Sequence, residues 1–422
     1  MKIKNVQAFP IAFPLETPVQ DATGVWDSWN TVIVKITAED GTFGYGEIGP
    51  LHGGGIPIFT AMVDYKLKDL IIGEDAFDRE RLYEKMLGRG TGSYALGQKG
   101  AIVSAVAGID IALWDLVGKI LETPVYQLLG GRAHDKIPAY ASGFFGKDGR
   151  PLTPRECSDE AKGYADQGFK GVKMKVGFGR KQDLLNLEAV RKALGPDLGI
   201  MVDANQSYSY HDVLRIAHEL AAFDLTFLEE PLPINDLDAM AALVAAVEVP
   251  IATGENYYTR FEFRDVLVKR AANIIQPDII HAGGITETKK IADMASAWNV
   301  PFSPHIHATV GVAASIHLMT STPNTLAAEY ITTGGSYQLR QALYGQAFRA
   351  QDGWISAPQE PGLGIHIDEA IFEKFYPKNM RRESPTQPAR EVTSGRWQEL
   401  VKSKSPQKKA NIGEFRDSAD RL

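Results

Sequence analysis

The 422-residue chain has one cysteine, Cys157, which excludes an intrachain disulfide framework and a cysteine-rich metal site. After Ile137 the Gly-x-Gly-x-x-Gly fingerprint of dinucleotide-binding sheets is absent, and no stretch of the chain reaches the roughly 18 uninterrupted apolar residues of a membrane span. The apolar run within Met1 to Phe13 is too short for a secretory signal, so a soluble cytoplasmic protein with no membrane partner is expected. Positive charge is also in deficit, with a formal net charge of −7. Pro377 to Leu422 runs the other way, carrying 11 Lys/Arg against 6 Asp/Glu, a surplus of +5 that leaves about −12 on the remainder. An acidic body argues against a nucleic-acid partner. An anionic substrate would then need local cations or a metal.

What is present suits a large enzyme. The length fits a barrel of about 250 residues plus an added domain, and the 44% hydrophobic share can fill the core of both. Residues 1–130 mix strand-like alternation, as in Thr31 to Ile36 before the Glu39-Asp40-Gly41 turn signal, with a helical run from Ile102 to Lys119. This reads as an α+β domain. From Ile137 short apolar strands alternate with amphipathic helices, with strands expected near 137–143, 171–177, 199–205, 227–231, 250–255, 274–278, 300–305 and 327–330. From 171 onward their starts are 28, 28, 23, 24, 26 and 27 residues apart, the length of a strand plus a crossover helix. Eight such units over 131–340 predict a closed (β/α) barrel. Residues 341–376 read as a return to the first domain, and 377–422 as a basic peripheral tail with Pro385, Pro388 and Pro406 interrupting its helical possibilities.

In such a barrel the active site lies at the carboxyl ends of the strands. Those positions read Lys175, Asp203, Glu229, Glu255, Asp278, His305 and Glu329. Asp203, Glu229 and Glu255 are spaced by 26 residues each, which puts three carboxylates at adjacent strand ends, where they repel one another unless a cation sits among them. An all-oxygen set favours Mg²⁺, with Mn²⁺ a substitute. Two bases are expected to face each other across the mouth. Lys175 shares a face with Lys173, and crowding of the two ammonium groups is expected to make a neutral amine accessible. His305 is paired with Asp278, which would fix its tautomer and raise its basicity. Glu329 is read as an acid kept neutral to bond a substrate oxygen, or else as an ordinary barrel carboxylate. His281 and His307 either touch substrate or line the rim.

These motifs resemble the enolase superfamily and, within it, the mandelate racemase subgroup. The pieces are Lys173-Met-Lys175, Val202-Asp-Ala-Asn-Gln206, Leu228-Glu-Glu-Pro231, Gly254-Glu-Asn256, Gln276-Pro-Asp278 followed by Gly283-Gly284, Ser303-Pro-His305 and Glu329. The stretch Asp278 to Gly284 lacks the lysine of the muconate-lactonising branch, and Asn205 stands where galactonate and mannonate dehydratases carry histidine. The resemblance implies a (β/α)7β barrel with an α+β capping domain built from the N-terminal region and a C-terminal segment. It also implies Mg²⁺ on Asp203, Glu229 and Glu255, Lys175 opposite the His305–Asp278 dyad, and a homo-oligomer. Substrate contacts are expected from Asn205 and from two cap loops, with Trp26, Asp27 and Trp29 on one and His52 on the other. The implied reaction is α-proton abstraction from a sugar-acid carboxylate, leading to dehydration, to ring opening of a lactone or anhydro sugar, or to racemisation; a non-catalytic binding protein is the remote alternative.

Overall fold

The computed structural model describes residues 1–49, 55–88, 96–332, 334–345 and 347–377, with the side chains of 334–336 excepted. The amino-terminal part is a three-stranded antiparallel sheet, β1 (Ile3–Gln20), β2 (Val25–Ala38) and β3 (Phe43–Ile48), in that order. Residue Gly41 takes φ +89° in the turn between β2 and β3, where a side chain would be strained. The helix Ala101–Ile120 lies on β3, and Gly44 and Gly46 explain how close it comes. A Cβ on Gly46 would stand 1.9 Å from the Gly108 carbonyl oxygen, and one on Gly44 2.3 Å from that of Ala112. That helix is apolar and long enough to cross a membrane by composition, yet 94% of its most apolar window is buried inside the protein.

The second part is a parallel barrel. Its strands are β4 (Ile137–Ser142), β5 (Gly171–Lys175), β6 (Gly199–Asp203), β7 (Phe227–Glu229), β8 (Ile251–Thr253), β9 (Ile274–Ile275) and β10 (Ala328–Ile331). Neighbours pair in sequence order, and β10 closes onto β4 through Glu329 opposite Tyr140. The strand expected over 300–305 is reduced to a bridge: Phe302 pairs with Ile275 on one side and Thr325 on the other. Flanking Pro301 and Pro304 have no N–H to donate, which limits the ladder to one residue. Among the described residues, eight α-helices lie between Pro154 and Thr320: one follows each barrel position before β10 except β9, which is followed by two, Ile279–Ala282 and Gly284–Ala297.

Period-two alternation fills the barrel. Val172, Val202 and Leu228 face the surrounding helices in the main core, while Tyr140, Met201, Phe227, Ala252 and Ile274 plug the lumen. Two residues beyond Met201 and Phe227, the same alternation places Asp203 and Glu229 above the plug. The chain after the barrel reaches back to the cap, where the Ala12 N–H donates to the Phe375 carbonyl and Phe372 stacks on Phe9 with centroids 4.4 Å apart. A further strand, β11 (Trp354–Ile355), pairs antiparallel with β4 near its start.

Candidate active site

Register carries the first half of the site. Lys175 is the Cα partner of Asp203, and Asp203 of Glu229, so three charged residues sit level on three adjacent strands. Glu255 follows β8 by two residues. Gly254 between them takes φ +156°, and a Cβ there would come within 2.5 Å of the Gln276 backbone. Oxygens of Asp203, Glu229 and Glu255 lie within 4.8 Å of one another, and all three residues are buried.

Lysines answer part of this charge. The Lys173 ammonium donates to both Glu229 oxygens at 2.8 and 2.9 Å and pairs with Glu329 Oε1 at 2.8 Å, while Lys175 donates to Asp203 Oδ2 at 2.6 Å. Burial works against the charged form of Lys173, but Glu229, Glu329 and Asp203 outweigh it and hold its pKa well above the ordinary lysine value. Lys175 moves the same way, with burial opposed chiefly by Asp203. This runs opposite to the crowding effect expected from the sequence, because the facing carboxylates outweigh the neighbouring ammonium; a cation on Asp203 would offset the largest of them. Glu229 is itself pushed up to about 8, first by burial and then, against Lys173, by the surrounding acids. Of the two readings of Glu329, the contacts favour the barrel carboxylate over the neutral acid. Burial is overcome by Lys173 and then His305, holding it down to about 2, so it is a carboxylate that also accepts the Ile306 N–H at 3.2 Å.

The other half is built on imidazole. His305 Nδ1 lies 2.7 Å from Asp278 Oδ2, and its Nε2 lies 3.2 Å from Glu255 Oε2, so the ring stands between the dyad carboxylate and the carboxylate cluster. Burial lowers the proton affinity of His305, but Glu255 and Asp278 raise it further, to about 10. Asp278 is held well below the usual carboxylate range, against burial, by His307 and His305. A cation on Glu255 would offset the first of the charges that raise His305.

The structure brings three of the expected contact residues together. His307 has Trp29 of the cap edge-on at 5.4 Å and His281 stacked at 6.1 Å, and His281 Nδ1 meets Ser104 Oγ of the long cap helix at 3.0 Å. Asn205 caps Asp203 by donating its backbone N–H to Oδ1 at 2.9 Å, with φ +41°. Trp26 instead folds over Gly24 in its own hairpin turn. Asp27 is exposed, and His52 and residues 378–422 lie outside the described residues.

Three site groups escaped sequence reasoning. Gln276 donates to Glu229 Oε2 at 2.8 Å, and its place in the Gln276-Pro277-Asp278 motif was the available signal. Glu230, fully buried at φ +38°, accepts from Gln206 and from Asn256, whose amide also reaches Glu255 at 3.3 Å. Glu47, from β3 of the cap, accepts the Thr309 and Gly311 N–H groups at 2.8 and 3.0 Å, just past the loop carrying His305. No local pattern announces that contact, because its partners are more than 260 residues away.

Fold and site together define a class: capped (β/α)-barrel enzymes arranged for acid–base chemistry beside a hard-cation site. The family model described as mandelate racemase / muconate lactonizing enzyme, N-terminal domain, matches residues 3–130, and the one described as enolase C-terminal domain-like matches 156–371. The chain is 33% identical to D-galactarolactone cycloisomerase of Agrobacterium fabrum over 89% of its length and 99% of the relative's. It is 31% identical to arabinonate dehydratase of Saccharolobus solfataricus, covering 88% of this chain and 99% of that one. A racemase from Streptomyces coelicolor with bound magnesium superposes with a TM-score of 0.80 at 30% identity, over 88% of this chain and 99% of that one. The chain belongs to the mandelate racemase / muconate lactonizing enzyme family of the enolase superfamily.

Proposed function

We propose that the chain removes the proton α to the carboxylate of a sugar acid and expels the β-hydroxyl as water, as an aldonate or aldarate dehydratase. The observation that carries this reading is the bracketing of one carboxylate cluster by two groups able to move a proton, Lys175 at Asp203 and His305 at Glu255. Asp203, Glu229 and Glu255 fit Mg²⁺, with Mn²⁺ a substitute, because they are buried, close together and all-oxygen. Bound there, the ion would supply positive charge where the enediolate oxygens develop theirs.

The chain's own residues do the rest. Lys175 and His305 address opposite faces of the α-carbon, and Asp278 orients and supports His305. Lys173, enclosed by Glu229 and Glu329, balances charge and holds Glu229 in place. Trp29, His281, His307 and Asn205 are the contacts proposed for the rest of the substrate. A second reading, ring opening of a sugar-acid lactone or anhydro sugar, is supported by the cycloisomerase among the relatives and shares the abstraction step. The test is incubation with aldonic and aldaric acids in deuterated water at saturating Mg²⁺, following α-deuterium uptake and products. A 2-keto-3-deoxy acid supports the dehydratase reading and ring-opened product the second. No exchange and no product with any acid would sink both.

A further inference from the structure

One carboxylate oxygen serves two imidazoles. His305 Nδ1 lies 2.7 Å and His307 Nδ1 2.8 Å from Asp278 Oδ2, and the two nitrogens are 3.1 Å apart. An ionised carboxylate oxygen only accepts, so both rings donate N–H to it and both keep Nε2 for chemistry elsewhere. The rings overlap with centroids 4.5 Å apart and planes 28° from parallel. His305 Nε2 faces the carboxylate cluster, whereas His307 lies toward the cap, between Trp29 and His281, and is only 4% exposed. The loop is held from several directions: Glu329 accepts from Ile306, Glu47 from Thr309, and the Thr309 carbonyl accepts from Tyr344. Two histidines on one fixed loop, tied to one acid, are more than a single base requires.

We infer that His307 is a further catalytic residue, the acid that protonates the departing β-oxygen; this rests on the elimination proposed above. Asp278 and the two imidazoles with one additional proton carry no net charge. That condition holds whether the proton is on His307 or on His305. A proton entering at His305 as another leaves His307 therefore moves charge within a buried group without changing its total, which avoids the large cost of isolating a buried charge. In the step itself, the base takes the α-proton and the C–H electron pair enters the enediolate. That pair then forms the Cα–Cβ double bond as the Cβ–O bond breaks with both its electrons on oxygen. The oxygen takes the Nε2 proton of the His307 imidazolium and leaves as water, and His307 remains neutral with Nδ1–H on Asp278. The enol becomes the 2-keto acid when the proton held by His305 is delivered to Cβ and the enol hydroxyl gives up its own proton, which replaces the one His307 lost. In a ring opening the same proton would reach an oxygen that stays attached.

The test separates proton removal from leaving-group departure. His307→Asn keeps a donor for Asp278 but has no proton to give at the Nε2 position, and His307→Gln repeats the measurement with a different fit. The probes are D-galactonate, arabinonate and D-xylonate with their 3-deoxy-3-fluoro counterparts, since fluoride leaves without protonation. The expected result is loss of water slowed by roughly a hundred-fold or more beyond any fall in α-deuterium exchange, with fluoride release falling no further than exchange does. Retained exchange also reports that the variant is folded. If exchange, dehydration and fluoride release all fall together in both variants, His307 only positions Asp278 and the inference is overturned. Normal dehydration by the variants overturns it as well while leaving the dehydratase reading standing. Absence of both exchange and product in the unsubstituted protein overturns both.

Discussion

On one side of the carboxylate cluster Lys173, Lys175, Asp203 and Glu229 stand on regular parallel strands in register, whereas on the other His305 and His307 stand on a loop whose neighbouring strand is one residue long. The lysine side is positioned by the pleat: alternate residues of β5, β6 and β7 enter the lumen, and the ladder levels them. The histidine side is positioned by contacts from elsewhere, namely Asp278 after β9, Glu329 on β10 and Glu47 from the cap. Both sides offer a group that can move a proton. They differ in what has to be intact for that group to be in place. A strand-borne base needs only the barrel, while a loop-borne base also needs the cap docked on the barrel.

Substitutions can break or sharpen this contrast. The largest effect is expected where the two sides meet: Glu229→Gln or Glu255→Gln should lower kcat by roughly a thousand-fold or more with any acid that is turned over, and chelation should abolish turnover until Mg²⁺ is restored. Near-normal turnover after chelation would contradict the metal assignment. Next come Lys175→Ala and His305→Asn, each expected to cost roughly 10²- to 10⁴-fold in exchange from one face while the other face still exchanges, as measured with the two α-epimers of one acid. Full turnover by both variants would remove the two-base reading.

The comparison is sharpest at Glu47. Glu47→Ala leaves two buried N–H groups unpaired at about 1–3 kcal/mol each, so thermal stability should fall. Its signature would be unequal loss, with His305-face exchange reduced far more than Lys175-face exchange. Glu47→Gln, which keeps one oxygen for both N–H groups, should recover most of it. Equal loss on both faces in Glu47→Ala would show that the cap does not position the histidine loop.

The smallest expected effect concerns stability alone. His317, on the helix Val310–Thr320 that follows the histidine loop, accepts the Tyr126 N–H at Nδ1 and bonds the Leu363 carbonyl through Nε2, both at 3.2 Å. Only the neutral ring can make both bonds. Burial pulls its pKa down to about 4, against the Leu363 bond. The unfolded chain takes up this proton below about pH 6.5 and the folded chain only near 4, so stability is lost as pH falls between those values, by up to about 3 kcal/mol. Denaturant midpoints measured from pH 7 to 4 should fall less steeply in His317→Phe than in the parent, and identical slopes would exclude this origin.

The chain sequence by itself determined the barrel and its charged rim. Repeats of 23 to 28 residues between strands, and a period of two within them, are local properties that survive without tertiary information, which is why Asp203, Glu229 and Lys175 could be read as neighbours. The seventh strand was misjudged because Pro301 and Pro304 restrict the ladder while leaving the apolar pattern intact. Only the tertiary structure decided the electrostatics. Lys173 and Glu329 could each be taken for a neutral group until their 2.8 Å pairing showed that each keeps the other charged. The same holds for Glu47 at the Thr309 amide and for two imidazoles on one Asp278 oxygen. Coulomb and hydrogen-bond energies depend on ångström separations between residues distant in the chain, and no periodicity in a sequence encodes those.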